Sequence, residues 1–116
     1  MDLAALAEEE GISPKKLAGT LLTTTAELGS SVGLPRDALS RADRVFSVKT
    51  QQRLRGLTEI INKIEPRFGN ALLAYAWYRS EPIPGFGGNT AMQMVRAGHQ
   101  DDVLTYIDSV DAGIHA

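Results

Sequence analysis

The sequence contains no cysteine, which excludes disulfide bonds, thiolate metal sites and cysteine nucleophiles. It has only two histidines, His99 and His115, and their spacing matches no common set of metal ligands. No apolar run approaches the roughly 18–20 residues that a membrane-spanning helix needs. We therefore expect no metal site, no bound cofactor and no membrane segment.

Catalytic constellations are also missing. The chain shows no paired carboxylates, no nucleophile beside a base and no metal cluster, so we expect a protein that is not an enzyme. A small helical enzyme is the least favoured alternative.

The first residues, "MDLAALAEEE", lack the apolar core of a signal peptide, which predicts a cytoplasmic protein. The 116 residues, of which 43% are hydrophobic, suit one small domain or two closely packed helical subdomains.

The charge of the chain is unevenly distributed, although its formal net charge is only −2. Residues 1–33 carry two lysines and five acidic residues, a net charge of −3. Residues 34–67 carry eight basic and four acidic residues, a net charge of +4. Residues 68–116 carry two arginines and five acidic residues, again −3. A basic centre between acidic flanks suggests that the centre meets a polyanion and another segment meets a different partner.

The pattern of apolar residues, caps and breakers predicts an all-α fold made of a small set of helices. Ser13 and Pro14 mark one helix start, Thr90 with Gln93 forms a capping box at another, and Pro66 is expected to end the longest helix. No segment alternates with period two, so we expect no sheet. The expected helical segments are 13–22, 23–33, 35–46, 47–66, 68–82, 89–98 and 100–113.

Aromatic residues cluster around Trp77, together with Tyr75 and Phe68. They suit either a ligand cage or core packing. Core packing is favoured, because Leu73, Ala76 and Trp77 fall on one helical face.

The stretch "GLPRDALSRADR", residues 33–44, fits a helix-turn-helix. Gly33 stands where the first helix must end abruptly, and the apolar Val32 and Leu34 flank it. Leu39 is placed to face the core from the second helix. Gly29 is a very small residue where the two helices would cross.

A helix-turn-helix that binds DNA would explain the local excess of arginine. Arginine can bind guanine or phosphate through two hydrogen bonds, and the basic residues that begin the next helix can reach backbone phosphates. The alternative is a solvated basic face with local pairs such as Asp37–Arg41. The candidate DNA-binding residues are Arg36, Asp37, Ser40, Arg41, Arg44, Lys49, Arg53 and Arg55.

The second half of the chain carries an ordered series of motifs: Ala76–Trp77, Pro82, Gly87–Gly88, Met94–Val95, Gly98, and then Val103, Leu104, Ile107 and Gly113. In this order and near this spacing they resemble the C-terminal domain of the MbcA/ParS/Xre antitoxin family. Family members usually carry an aliphatic residue where this chain has Tyr78. The preceding stretch looks like the Xre-type helix-turn-helix that is usually joined to this domain. The resemblance thus implies a DNA-binding region at residues 1–66 and a toxin-binding domain at residues 67–116.

The resemblance implies that the protein is the antitoxin of a type II toxin–antitoxin pair. The partner would be a RES-type toxin that degrades NAD, and the C-terminal domain would cover the entrance to its active site. The helix-turn-helix would repress the shared operon by binding operator DNA, usually as a homodimer. A helix-turn-helix transcriptional regulator without a toxin partner remains the alternative.

Candidate toxin-binding residues lie in the last helix and its tail. Asp108 and Asp111 are three residues apart, share one side of the helix, and suit a cleft built for an anionic dinucleotide; a solvated acidic face is the alternative. Gly113 is expected to end the helix, so that Ile114, His115 and Ala116 project beyond it. The connector at Gly87 and Gly88 is a further candidate.

Overall fold

The computed structural model describes residues 1–8 and 11–115, with only the backbone described at residues 42, 114 and 115. The described part is mostly helical, as predicted, and none of its helices is long and apolar enough to cross a membrane. The elements in chain order are α1 (Leu3–Leu6), β1 (Ala7–Glu8), β2 (Gly11–Ile12), α2 (Pro14–Thr20), α3 (Thr25–Ser31), α4 (Ala42–Val45), α5 (Val48–Phe68), α6 (Ala71–Ser80), α7 (Ala91–Arg96) and α8 (Gln100–His115).

The caps expected from the sequence are present. The Ser13 hydroxyl accepts a hydrogen bond from the Lys16 amide at 3.2 Å, ahead of a proline that needs no donor partner in the first turn. Thr90 and Gln93 form a reciprocal capping box at the start of α7. These local interactions satisfy amide groups that have no partner inside the helix, so the helix starts are encoded locally.

A short antiparallel hairpin corrects the expectation that the chain has no sheet. Ala7 pairs with Ile12 and Glu8 pairs with Gly11. The side chain of Gln51 holds the hairpin against α5, because it accepts from the Ile12 amide at 2.8 Å and donates to the Ile12 carbonyl at 3.1 Å. Strands of two residues are too short to show alternation in the sequence, and a distant glutamine stabilises them.

The end of α5 is a second correction. Pro66 was expected to stop this helix, but the helix runs through it to Phe68 and ends at Gly69, which has a φ of +87°. Proline cannot donate to the carbonyl four residues earlier, which belongs to Asn62. Both Asn62 and Pro66 are exposed, so water can reach that carbonyl.

The segment 35–46 is a third correction, because it does not form one continuous helix. Residues 36–40 make turns, with hydrogen bonds from the Ala38 amide to the Pro35 carbonyl and from the Ser40 amide to the Asp37 carbonyl. Arg41 is extended, at φ −99° and ψ 124°, and only the four residues of α4 follow as a helix. The Ser40 hydroxyl also donates to the Asp37 main-chain carbonyl at 3.3 Å, and such a hydrogen bond from a serine side chain to the nearby backbone competes with a regular helix.

The last helix corrects a fourth expectation. Gly113 was expected to end it, but the backbone of α8 stays helical through Gly113 to His115. A glycine ends a helix where it takes a left-handed conformation, and Gly113 is not one of the glycines with a positive φ. The predicted tail residues Ile114 and His115 therefore continue the helix. Ala116 lies outside the described residues.

The core is formed around α5, whose buried residues include Leu54, Leu57 and Ile61. Buried residues from both halves of the chain, from Leu6 to Ile107, belong to one apolar cluster. The division at residue 66 therefore separates two parts that share a core, and two separate domains stay a prediction.

Helix α6 buries a different face from the one expected. Ala74, Tyr75 and Tyr78 are buried, whereas Leu73 is 50% exposed. Trp77 is partly buried and packs against the core, as the core interpretation expected.

Candidate functional site

The turn after α3 has the local geometry that the sequence pattern requires. Gly33 has a φ of +76°, a conformation that favours glycine. Val32 and Leu34 on either side of it are buried. A β-carbon on Gly29 would lie 3.3 Å from the Leu39 Cδ1 atom, so a larger residue there requires the Leu39 side chain to shift. The turn and the close crossing are present, although the second element is built of turns rather than a regular helix.

Most candidate DNA-binding side chains of this region are exposed. The Asp37 carboxylate forms ion pairs with the guanidinium groups of Arg41 at 3.9 Å and Arg44 at 3.3 Å. The guanidinium of Arg41 also lies 3.5 Å from the Asp43 carboxylate. Such surface pairs contribute little to stability, so they can open when a partner binds. The exposed candidates are Arg36, Ser40, Arg41, Arg44, Lys49 and Arg55.

Arg53 has an internal partner. Its guanidinium donates a hydrogen bond of 2.6 Å to the Val95 carbonyl, close to the end of α7. A cation at a helix C-terminus is favourable because the carbonyl ends of the helix carry partial negative charge. Arg53 thus connects α5 to α7, and it is less available for DNA than the exposed cations around it.

Two contacts join the turn region to the C-terminal half. The Tyr78 hydroxyl donates a hydrogen bond of 2.6 Å to the buried Ser31 carbonyl. Burial raises the pKa of that hydroxyl above its ordinary value, and the charges of Arg53 and Arg96 partly oppose the rise. A β-carbon on Gly33 would lie 3.2 Å from the Arg96 Cα atom, so the turn packs directly on the end of α7.

The Gly-Gly connector is a closed loop between α6 and α7. The Ile83 amide donates to the Asn89 carbonyl at 2.8 Å, and Phe86 contacts the edge of Tyr106 at a ring-centroid distance of 5.9 Å. Gly87 and Gly88 have φ values of +66° and +84° and are exposed at the loop's outer end. The loop is therefore fixed at its base by an apolar anchor and presents backbone to solvent at its tip.

The acidic candidates of α8 face α5. Asp108 accepts from the Lys63 ammonium group at 2.8 Å, and Asp111 accepts from the Arg67 guanidinium at 2.5 Å. The hydrogen bond with Asp108 raises the pKa of Lys63. Both pairs lie at the surface, so the carboxylates remain accessible, but a substitution at either one also changes a contact between α5 and α8.

An apolar patch lies at the corner between α5 and α6. Phe68, Leu72 and Leu73 are 38%, 40% and 50% exposed. No group of three or more histidine and acidic side chains among those that the structure describes is arranged to hold a metal ion.

The sequence pattern missed the residues that join the two halves. The sequence marks Tyr78 only as a departure from the resembled family, and no motif in it assigns Arg96 to a surface. No local pattern indicates the contact of Tyr78 with Ser31 or that of Arg96 with Gly33, because the two residues of each pair are more than 45 positions apart in the chain. The Tyr78 departure was the one available hint.

Comparison with known proteins assigns the C-terminal part. The family model described as the antitoxin Xre/MbcA/ParS C-terminal toxin-binding domain matches residues 65–113. This segment spans the end of α5, α6, the Gly-Gly loop, α7 and most of α8. No curated protein and no solved structure matches the chain. The match confirms the resemblance drawn from the sequence and supports an antitoxin role: residues 65–113 are similar to the C-terminal toxin-binding domain of the Xre/MbcA/ParS antitoxins.

Proposed function

We propose that this protein is the antitoxin of a type II toxin–antitoxin pair that neutralises a RES-type, NAD-degrading toxin and represses its own operon by binding DNA. The observation that carries the proposal is the match of residues 65–113 to the toxin-binding domain of this antitoxin family. The RES-type toxin follows from the family resemblance of the sequence. A cytoplasmic location is part of the same proposal.

The toxin-binding surface is proposed to include the Gly-Gly loop and the exposed side of α8. The loop is anchored by Ile83 and Phe86, so little conformational freedom is lost when its tip binds a partner. Asp108 and Asp111 add accessible carboxylates on α8. A cleft that binds an anionic dinucleotide carries cationic groups, which suits these carboxylates.

The DNA-binding part of the proposal rests on the turn after α3 and the basic residues that follow it. The left-handed Gly33, the close approach of Gly29 and Leu39, and the exposed Arg36, Arg41 and Lys49 support it. One such module contacts few base pairs, and a two-fold dimer supplies a second half-site. We therefore expect a homodimer on DNA.

Exposed apolar side chains in the N-terminal half are candidates for the dimer contact. Leu22 is 78% exposed and has a φ of +52°, and Val48 at the start of α5 is 74% exposed. Sedimentation measures the oligomeric state, and tight binding to a palindrome by a protein that stays monomeric would contradict the dimer.

Co-expression with the product of the adjacent gene tests the function. We expect that product to arrest growth and deplete NAD when expressed alone, and the antitoxin to copurify with it and restore growth. A neighbour that is harmless, or that never copurifies with this chain, would overturn the toxin-binding role. If the chain still binds the upstream DNA, the better hypothesis is then a helix-turn-helix transcriptional regulator that has no toxin partner.

A further inference from the structure

A cleft of about 440 Å³ lies where α3, the turn after it and the end of α7 meet. We call it the α3–α7 cleft. Thr25 and Ser30 of α3, Gly33 and Arg36 of the turn segment, and Arg96 of α7 are among the residues that line it. Its two charged residues come from the two halves of the chain, and no acidic residue lines it.

The position of Arg96 in this cleft is fixed by backbone contacts. The main chain of Arg96 packs on Gly33, where an added β-carbon would lie 3.2 Å from its Cα atom and 3.3 Å from its carbonyl oxygen. The preceding Val95 carbonyl accepts the hydrogen bond from Arg53. The Arg96 side chain therefore leaves a well-held backbone beside the turn.

The charge of the cleft is uncompensated in the described part of the chain. Arg36 and Arg96 are exposed, and neither forms an ion pair with a described residue. Arg41 and Arg44, by contrast, share Asp37. A phosphate that enters the cleft would thus meet two guanidinium groups without first displacing a carboxylate.

The chemistry of the lining suits a phosphodiester. Guanidinium groups bind phosphate oxygens through paired, charge-assisted hydrogen bonds, and the hydroxyls of Thr25 and Ser30 can donate to the same kind of oxygen. The cleft also adjoins the turn that the sequence pattern assigns to DNA. A nearby duplex would present its backbone there.

We propose that the α3–α7 cleft binds a backbone phosphate of operator DNA, and that Arg96, a residue of the toxin-binding segment, contacts DNA together with Arg36. This inference rests on the proposed DNA-binding function. It adds a DNA contact from the segment that the family comparison assigns to toxin binding. The Gly-Gly loop then lies before the start of α7, and the DNA contact lies at its last residue.

Affinity measurements on the full chain test the proposal. The wild type and the variants Arg36→Gln, Arg96→Gln and Arg79→Gln are titrated with the DNA upstream of the gene at several salt concentrations. Arg79→Gln is the matched control, because Arg79 is an exposed arginine of the same segment that stacks on Tyr75 and does not line the cleft. Circular dichroism verifies that each variant is folded.

We expect Arg36→Gln and Arg96→Gln each to weaken DNA binding about tenfold or more, and to flatten the salt dependence by up to about 0.9 log unit per log unit of salt. Arg79→Gln should change neither quantity. If the wild type binds the DNA and Arg96→Gln binds it equally well, this inference is wrong. The DNA-binding function still stands in that case.

Two other outcomes also decide the matter. If the wild type binds no upstream DNA and no other duplex, the DNA-binding function fails and this inference fails with it. If Arg96→Gln weakens copurification with the adjacent gene product at unchanged DNA affinity, the cleft is a protein-binding surface, and the phosphate assignment is wrong.

Discussion

The Tyr78 hydroxyl on α6 donates a 2.6 Å hydrogen bond to the carbonyl of Ser31, the last residue of α3. The final carbonyls of a helix have no partner inside the helix, and Ser31 is buried, so water cannot easily serve this one. Tyr78 therefore completes the end of α3 from the C-terminal half of the chain. The turn at Gly33 follows two residues later, so the hydrogen bond positions the turn as well.

Replacement of this tyrosine tests the link. Tyr78→Phe should lower the free energy of unfolding by about 1–3 kcal/mol, because it leaves the Ser31 carbonyl buried and unpaired. Tyr75→Phe is the matched control: its hydroxyl is buried and has no hydrogen-bond partner among the described residues, so its removal should be neutral or stabilising. Urea unfolding measures both, and equal losses would contradict the assigned role of Tyr78.

The same residue predicts a loss of stability in alkali. A tyrosine in the unfolded chain ionises near a pKa of about 10, whereas burial raises the pKa of Tyr78 in the folded state. Above about pH 10 the unfolded chain releases this proton first, so stability falls with rising pH, by at most about 1.4 kcal/mol per pH unit for one group. The wild type should lose stability more steeply than Tyr78→Phe between about pH 10 and 11; parallel slopes would show that Tyr78 does not contribute.

Alanine substitutions at Gly33 and Gly19 should change the stability of the fold in opposite directions. Gly33→Ala should destabilise the fold by at least about 1–2 kcal/mol, because a left-handed conformation is unfavourable for alanine and the new methyl group would press on the Arg96 backbone. Gly19 lies in α2, and a β-carbon there would meet no described side chain or backbone within 4 Å beyond its chain neighbours and its own helix turn, so Gly19→Ala should stabilise by about 0.5–1 kcal/mol. Thermal unfolding of the two variants measures the difference in sign.

A charge swap separates the two roles of Asp108. Asp108→Lys reverses the carboxylate and also sets two cations against each other, since Lys63 lies 2.8 Å from Asp108. The double variant Lys63→Asp/Asp108→Lys restores the pair with its charges exchanged, and stability should return to within about 1 kcal/mol of the wild type. If Asp108 contacts the toxin, both variants lose growth rescue in co-expression.

Lys63→Asp alone is the control for the partner position. Growth rescue by the double variant, with failure of Asp108→Lys alone, would show that Asp108 serves the fold and not the toxin.

Salt and substitution together test the basic segment. Arg41→Ala should weaken binding to the operator by about 1–3 kcal/mol relative to unrelated DNA, if this arginine contacts a base. Lys49→Ala should weaken binding to all sequences alike and reduce the salt slope by about 0.9. Gel shifts on the upstream region measure both effects. Binding that is independent of salt and of both substitutions would remove the helix-turn-helix hypothesis.

How much of this could be predicted from the sequence depends on the range of the interaction involved. The cap at Ser13, the Thr90–Gln93 box and the abrupt helix end at Gly33 were predicted correctly, because each depends on residues within a few positions of one another. The predictions that Pro66 and Gly113 end their helices were wrong. Pro66 lies within the last turn of a helix where water can replace its missing hydrogen bond, and Gly113 stays helical.

The sequence by itself determined the helical class, most helix starts and, through its motif order, the similarity of residues 65–113 to the toxin-binding domain of one antitoxin family. Only the tertiary structure decided that Gln51 supports a hairpin, that Arg53 binds Val95, and that Arg96 lies beside Gly33. Each of these pairs is separated by about 40 residues or more along the chain. Local patterns cannot specify such pairs, because packing of the shared core around α5 brings them together.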